Sequence, residues 1–231
     1  MIFPTPLLHG HLIKRYKRFL ADIELDTGEL LTAHCPNTGT MTSCSTPGSP
    51  VALSISDNAK RKYPHTLEMV YENSTWIGVN TARTNGLVAE AILSGAITEF
   101  KNVQEIKREV KTSDHSRLDL KLIIEGEEVY IEVKNCSLAQ ENCAMFPDAV
   151  TARGTKHLNE LMRLASLGKK TCIFFLVQRM DAETFSPASH IDMMYSETLN
   201  EAYNRGVLVL AYQAEVSPHG IKVVRKLPLK L

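Results

Sequence analysis

No stretch of this 231-residue chain approaches the roughly 18 consecutive apolar residues that a membrane span requires. The longest such run is CIFFLV at residues 172–177. The N-terminal segment MIFPTPLLHGHLIKRYKRF has no long apolar stretch and no small-residue cleavage site, so no signal peptide is expected. Cysteine is sparse and odd in number: Cys35, Cys44, Cys136, Cys143 and Cys172, with no CxxC pair. That excludes a disulfide-stapled secreted fold and a thiolate zinc site, and predicts reduced thiols in the cytoplasm. Net charge is also lacking, with 26 Lys+Arg against 26 Asp+Glu. A neutral chain is not a general polycationic coat for nucleic acid. There are no internal repeats, no low-complexity tracts, no glycine-rich nucleotide loop, no zinc finger and no recognition-helix signature. What remains is an ordinary globular composition, 44% hydrophobic and 23% charged, long enough for one large or two small domains.

The charge that is present is unevenly placed. Of the eight Lys and Arg before residue 86, seven lie in two clusters. One is Lys14, Arg15, Lys17 and Arg18, with Tyr16 and Phe19 interleaved. The other is Lys60, Arg61 and Lys62, followed by Tyr63. Cations beside aromatic rings suit a phosphate backbone with stackable bases, and they also suit a solvated strand face.

Hydrophobic periodicity divides the chain in two. Residues 1–84 alternate in short runs, with Asp26-Thr27-Gly28 and Asn73-Ser74 as turns, so about five strands and no helix predict a small barrel. Residues 85–231 mix periods. A helix is expected over 86–94, strands over 106–110, 118–124 and 129–133, and a helix through Leu158, Leu161, Met162 and Ala165. The run 172–177 reads as a strand buried on both faces. A helix over 197–205 capped by Ser196 and two closing strands follow. This order predicts an α/β domain with a mixed central sheet.

Within it, Glu132 and Lys134 are two apart on one strand and share a face, while Ile131 and Val133 face the other way. A two-residue loop within 125–127 brings Asp119 opposite Glu132 or Lys134, on the same face. Two carboxylates and an ammonium in one patch suit Mg²⁺ or Mn²⁺ and phosphodiester chemistry, and equally a cross-strand salt bridge. Arg117 shares that face and can clamp phosphate or pair with the acids. Arg153, Lys156, His157 and Glu160 gather at the start of the second helix, where cations and free N–H groups can hold phosphate, or where Thr151 or Thr155 simply caps. The loop Cys35-Pro36-Asn37-Thr38-Gly39 reads as a tight turn at a barrel rim.

The stretches HGHLIKRYKRFLADI, HCPNTGTM, SDNAKRKYPHT, SRLDL, IEVKN, FPDAVTARGTKHLNEL and FSPASHID closely resemble the sugar fermentation stimulation protein (SfsA) family, across nearly the whole chain. The resemblance implies an N-terminal OB-type barrel over 1–84, nucleic-acid-binding, and a PD-(D/E)XK nuclease-like domain over 85–231. It implies DNA, with RNA as the alternative, as partner, and a regulatory role linked to sugar metabolism. It carries the nuclease motif onto Asp119, Glu132 and Lys134, with Leu118 where the motif name has Pro. It carries a further metal ligand on the preceding helix onto Glu90.

Overall fold

A computed structural model describes residues 1–113 and 116–231. The first unit is a β-barrel. Strands β1 (Leu8–Tyr16), β2 (Leu20–Leu25), β3 (Leu30–His34), β4 (Pro50–Ile55), β5 (His65–Glu72) and β6 (Thr75–Gly78) lie in the order β3-β2-β1-β4-β5-β6. A parallel bridge between His34 and Thr66 joins β3 to β5 and closes five strands into a ring, leaving β6 outside it. Alternation makes this possible: Leu12, Ala21, Ile23, Leu25, Ala33, Val51, Leu53 and Leu67 point inward and are buried together.

A 3-10 turn, Thr81–Arg83, leads into α1 (Thr84–Leu93). Glu68 anchors this connection to the barrel. Its buried carboxylate accepts from Arg83 Nε (2.6 Å) and Nη2 (2.5 Å), Asn80 Nδ2 (2.9 Å) and Ser54 Oγ (2.6 Å). Helix α1 ends where Gly95 turns back at φ +75°, as the sequence predicts.

The second unit is built on a six-stranded mixed sheet. Its strands are β7 (Val103–Ser113), β8 (Ser116–Ile124), β9 (Glu127–Cys136), β12 (Lys170–Val177), β14 (Leu208–Ser217) and β15 (Gly220–Lys226), in the order β15-β14-β12-β9-β8-β7. Strand β12 runs parallel to both β9 and β14, and the outer pairs are antiparallel. A small sheet of β10 (Leu138–Gln140), β11 (Cys143–Phe146) and β13 (Thr184–Pro187), not anticipated from the sequence, sits beside it. The 172–177 run is buried on both faces as expected. Cys172, Phe174 and Leu176 join the core beneath α1, while Ile173, Phe175 and Val177 join that beneath α2 (Ala152–Ser166) and α3 (Met193–Asn204). Helix α3 begins earlier than predicted. Asp192, not Ser196, is its cap, accepting from Tyr195 N–H (3.0 Å). The apolar Met193-Met194 pair hid that first turn from the periodicity.

Among the described residues no helix is long and apolar enough to cross a membrane.

Candidate active site

The site grows from the β8–β9 hairpin. Its loop is the two residues Glu125-Gly126, both at positive φ, so Ile124 faces Glu127 and Leu120 faces Ile131. The next pair in this register is Asp119 and Glu132. There the ladder gives way to a side chain: Asp119 Oδ2 accepts from the Val133 N–H at 2.8 Å. Ile131 and Val133 pack on the α1 side, which turns Glu132 and Lys134 toward α2.

Helix α2, capped by the Thr151 hydroxyl on Gly154 N–H (3.0 Å), lays His157 over this face. His157 Nδ1 contacts Glu132 Oε1, and Arg153 Nε donates to His157 Nε2 at 3.5 Å. Both contacts fit the tautomer with the hydrogen on Nδ1. Lys134 Nζ donates to the same Glu132 Oε1 at 2.6 Å and lies 3.3 Å from His157 Nδ1.

Glu132 is 2% exposed, and its second oxygen, Oε2, has no hydrogen-bond partner among the described residues. Burial pushes its carboxyl up, but His157 and Lys134 outweigh that and hold it below the ordinary carboxylate range. Asp119 goes the other way. Burial, then the Glu132 charge, raise it to about 6, against the opposing pull of the Val133 N–H and the Asn85 amide. Two neighbouring carboxylates with diverging affinities for protons, one bearing an orphaned buried oxygen, form a hard-oxygen donor pair that a divalent cation fits. Among the described residues no set of three or more His, Cys, Asp and Glu gathers to hold a metal. A cation at Asp119 and Glu132 therefore needs water among its ligands, as Mg²⁺ readily accepts.

This patch floors a cavity of about 420 Å³ at the junction of the two units. The barrel contributes Arg18, Asn37, Thr38 and Gly39, and the segment before α2 contributes residues 146–151. An adjoining cavity of about 400 Å³ shares Arg153 and His157 with the first and adds Lys111, Arg117 and Lys156. A run of cations thus leads up to the two acids, a potential that favours polyanions.

The remaining candidates are distributed as follows. Arg117 is exposed, with its guanidinium 3.9 Å from Glu109. Lys17 and Arg18 occupy the β1–β2 turn at positive φ, and Lys14 sits over the Tyr16 ring at 5.4 Å. Lys60 and Lys62 are exposed, the latter 5.4 Å over the Tyr63 ring, while Arg61 turns inward to the Thr66 hydroxyl (3.1 Å). Two expectations need correction. Arg15 does not face solvent with its neighbours, because its two terminal nitrogens donate to four backbone carbonyls: those of Arg18, Asn37, Gly39 and Thr40. Glu90 lies away from the acids, 58% exposed, and pairs with the N-terminal ammonium at 2.6 Å. The residue that α1 brings to the site is Asn85, five positions earlier, whose Nδ2 donates to Asp119 Oδ1 at 2.8 Å. Five residues turn a helix by about 140°, so the two side chains cannot serve one site. Asn85 fell one residue outside the predicted helix and carried no charge to draw attention. Lys111 was likewise missed, for want of any motif around it.

Comparison with known proteins fits this architecture. Residues 13–79 match the SfsA N-terminal OB domain, and residues 82–220 match the sugar fermentation stimulation protein RE domain. The chain belongs to the SfsA family. Sugar fermentation stimulation protein homologs from Desulfotalea psychrophila and Geotalea uraniireducens are 58% and 48% identical to it over the whole chain, covering 95% and 100% of their own lengths. Among solved structures, SfsA from Pyrococcus furiosus, described as in complex with Ca²⁺, superimposes with a TM-score of 0.91 at 25% identity, covering 100% of this chain and 98% of its own. The OB barrel and the mixed-sheet domain are thus features this chain shares with the family.

Proposed function

We propose that the chain binds nucleic acid at the junction of its two domains and hydrolyses phosphodiester bonds there with a divalent cation, Mg²⁺ or Mn²⁺, held by Asp119 and Glu132. The observation that carries this reading is the buried Glu132 Oε2 with no partner, beside a second carboxylate and an ammonium. A structural salt bridge has no use for an orphaned oxygen, since leaving a buried charged acceptor unsatisfied costs about 1–3 kcal/mol or more. The relative described with Ca²⁺ adds support, because Ca²⁺ is a hard cation that takes oxygen ligands.

The bound cation would supply polarisation of a phosphoryl oxygen and a more acidic attacking water. The chain's own groups do the rest. Lys134 presents an ammonium where negative charge develops in the transition state. His157 holds Glu132 in one orientation, and Asn85 and the Val133 N–H do the same for Asp119. Arg18, Arg117 and Arg153 bind flanking phosphates from either side of the acids. DNA is the favoured partner, with RNA as the alternative.

A second reading, a DNA-binding regulator linked to sugar metabolism that does not cut, draws on the Lys134 and His157 contacts to Glu132, which neutralise that acid without a metal. Incubation of the purified protein with single- and double-stranded DNA and RNA, in Mg²⁺, Mn²⁺ or EDTA, separates the two. Metal-dependent cleavage abolished by Lys134→Ala supports the enzyme, and binding without cleavage in every metal supports the regulator.

A further inference from the structure

Residues 36–41 form a strap across the cleft. At one end the Pro36 carbonyl accepts from Thr81 Oγ1 (2.6 Å), on the approach to α1. At the other, Thr40 Oγ1 donates to the Asp148 carbonyl (2.5 Å) and the Met41 N–H to Asp148 Oδ2 (3.2 Å), on the approach to α2. From beneath, Arg15 donates to the carbonyls of Asn37 (2.8 Å), Gly39 (2.7 Å) and Thr40 (3.0 Å). The seat is close-fitting: a Cβ at Gly39 would collide with the Asp148 carboxylate. A turn needed only at a barrel rim would not require one anchor on the connection between the domains and another on the second domain.

The middle of the strap lines that cavity together with Asp119, Glu132 and Lys134. Asn37 is only 5% exposed, and its Oδ1 accepts from Gly39 N–H at 2.9 Å. Its Nδ2 makes no hydrogen bond with any described residue and reaches solvent, so it is free to donate to a ligand in the cavity that Asn37 lines. Thr38 presents a hydroxyl and Arg18 a guanidinium to the same space. These are donors only or donors first, as a phosphodiester, which only accepts, requires.

We propose that this strap is the barrel's part of the active site: Asn37, Thr38 and Arg18 grip the phosphate backbone opposite the carboxylates, and Arg15, Gly39 and Asp148 position them. The proposal rests on the phosphodiester reading of Asp119 and Glu132, and it makes the substrate a chain held by both domains at once. Arg15 acts as a positioning residue and does not itself touch the substrate.

The test titrates a short fluorescein-labelled DNA strand and its duplex into the full-length protein, in Ca²⁺ and again in EDTA, with Mn²⁺ affinity and thermal unfolding measured alongside. Thr38→Val removes the hydroxyl. Asn37→Asp keeps the acceptor for Gly39 N–H and removes the free donor. Gly39→Ala unseats the strap without changing charge, and adding Asp148→Ala relieves the clash. Asn37→Asp and Gly39→Ala should each weaken DNA binding about tenfold or more, the effect of removing one hydrogen bond to a charged group. Mn²⁺ affinity should hold in all three, the unfolding temperature should hold in Asn37→Asp and Thr38→Val and fall in Gly39→Ala, and Gly39→Ala/Asp148→Ala should recover part of the DNA affinity. DNA affinities within about twofold of wild type in Asn37→Asp, Thr38→Val and Gly39→Ala would overturn the proposal. Absence of Mn²⁺ binding by the wild-type protein would instead strike the metal reading, while the EDTA titrations still judge the strap.

Discussion

Replacing Asp119 by Asn should stabilise the protein at neutral pH while weakening the divalent-cation binding proposed for Asp119 and Glu132. The carboxyl, raised from 3.8 to about 6, is uncomfortable when ionised. The shift of about two units corresponds to about 3 kcal/mol at about 1.4 kcal/mol per unit. The sign follows from proton counting. Between pH 3.8 and about 6 the folded state keeps a proton that the unfolded chain has released. This group's contribution to stability therefore falls as pH rises through that window, and the full cost stands above about 6. Asn at 119 removes the charge and keeps an acceptor for the Val133 N–H. It loses one acceptor facing the Asn85 amide, worth about 1 kcal/mol. The net gain is about 1–2 kcal/mol at pH 7.5, vanishing below about pH 4. Urea unfolding in EDTA at both pH values measures this directly, with an unchanged m-value as the control. Adding Mn²⁺ at about 100 times its Kd should stabilise wild type by about 2.7 kcal/mol and the variant far less. An Asn variant that is less stable at pH 7.5, or whose advantage is the same at both pH values, would refute the argument that burial and Glu132 strain this carboxylate.

Other outcomes follow from the same geometry. Lys14→Ala, Lys17→Ala and Arg18→Ala combined should flatten the slope of log K against log salt for duplex binding, by up to about 0.9 for each phosphate no longer neutralised; an unchanged slope makes the cluster a solvated strand face. Arg15→Ala should weaken folding by about 1–3 kcal/mol in urea, because four carbonyls are deprived of a common donor. Arg83→Ala should cost about 3–5 kcal/mol in urea, since it removes the one cation paired with the buried Glu68 carboxylate among the described residues, and partial recovery in Arg83→Lys checks the cause.

Strand parity made much of the site legible. Side chains alternate along β9, so Glu132 and Lys134 share one face, but β8 breaks step beside Asp119, where Leu118 joins the core beneath α2 and Leu120 that beneath α1, and Asp119 meets the other two by accepting from the Val133 N–H. The fully apolar 172–177 run marked the central strand for a similar reason. What parity cannot convey is how separate elements dock. That α2 lays His157 on Glu132, or that α1 offers Asn85 and not Glu90, depends on helix rotation about its axis, which a nearly uniform apolar helix such as α1 barely encodes. Arg15 misled for a related cause: a strand face alternates in and out of a barrel, but a loop folded over that face can turn an outward cation into a structural donor. The loop at 35–39 had a legible turn and an illegible destination, because its anchors lie at Thr81 and Asp148, far along the chain.

The central claim is that Asp119 and Glu132 together hold a divalent cation, and calorimetric titration of Mn²⁺ into wild type, Glu132→Gln and Lys134→Ala tests it most directly. Gln is nearly isosteric with Glu, so folding should survive while Mn²⁺ affinity falls about tenfold or more. Lys134→Ala should retain or improve Mn²⁺ affinity, because it frees Glu132 Oε1 from a competing ammonium, yet lose cleavage. Equal Mn²⁺ affinity in wild type and Glu132→Gln, or no binding by wild type even with nucleic acid present, would contradict the account and leave the trio a buried salt bridge.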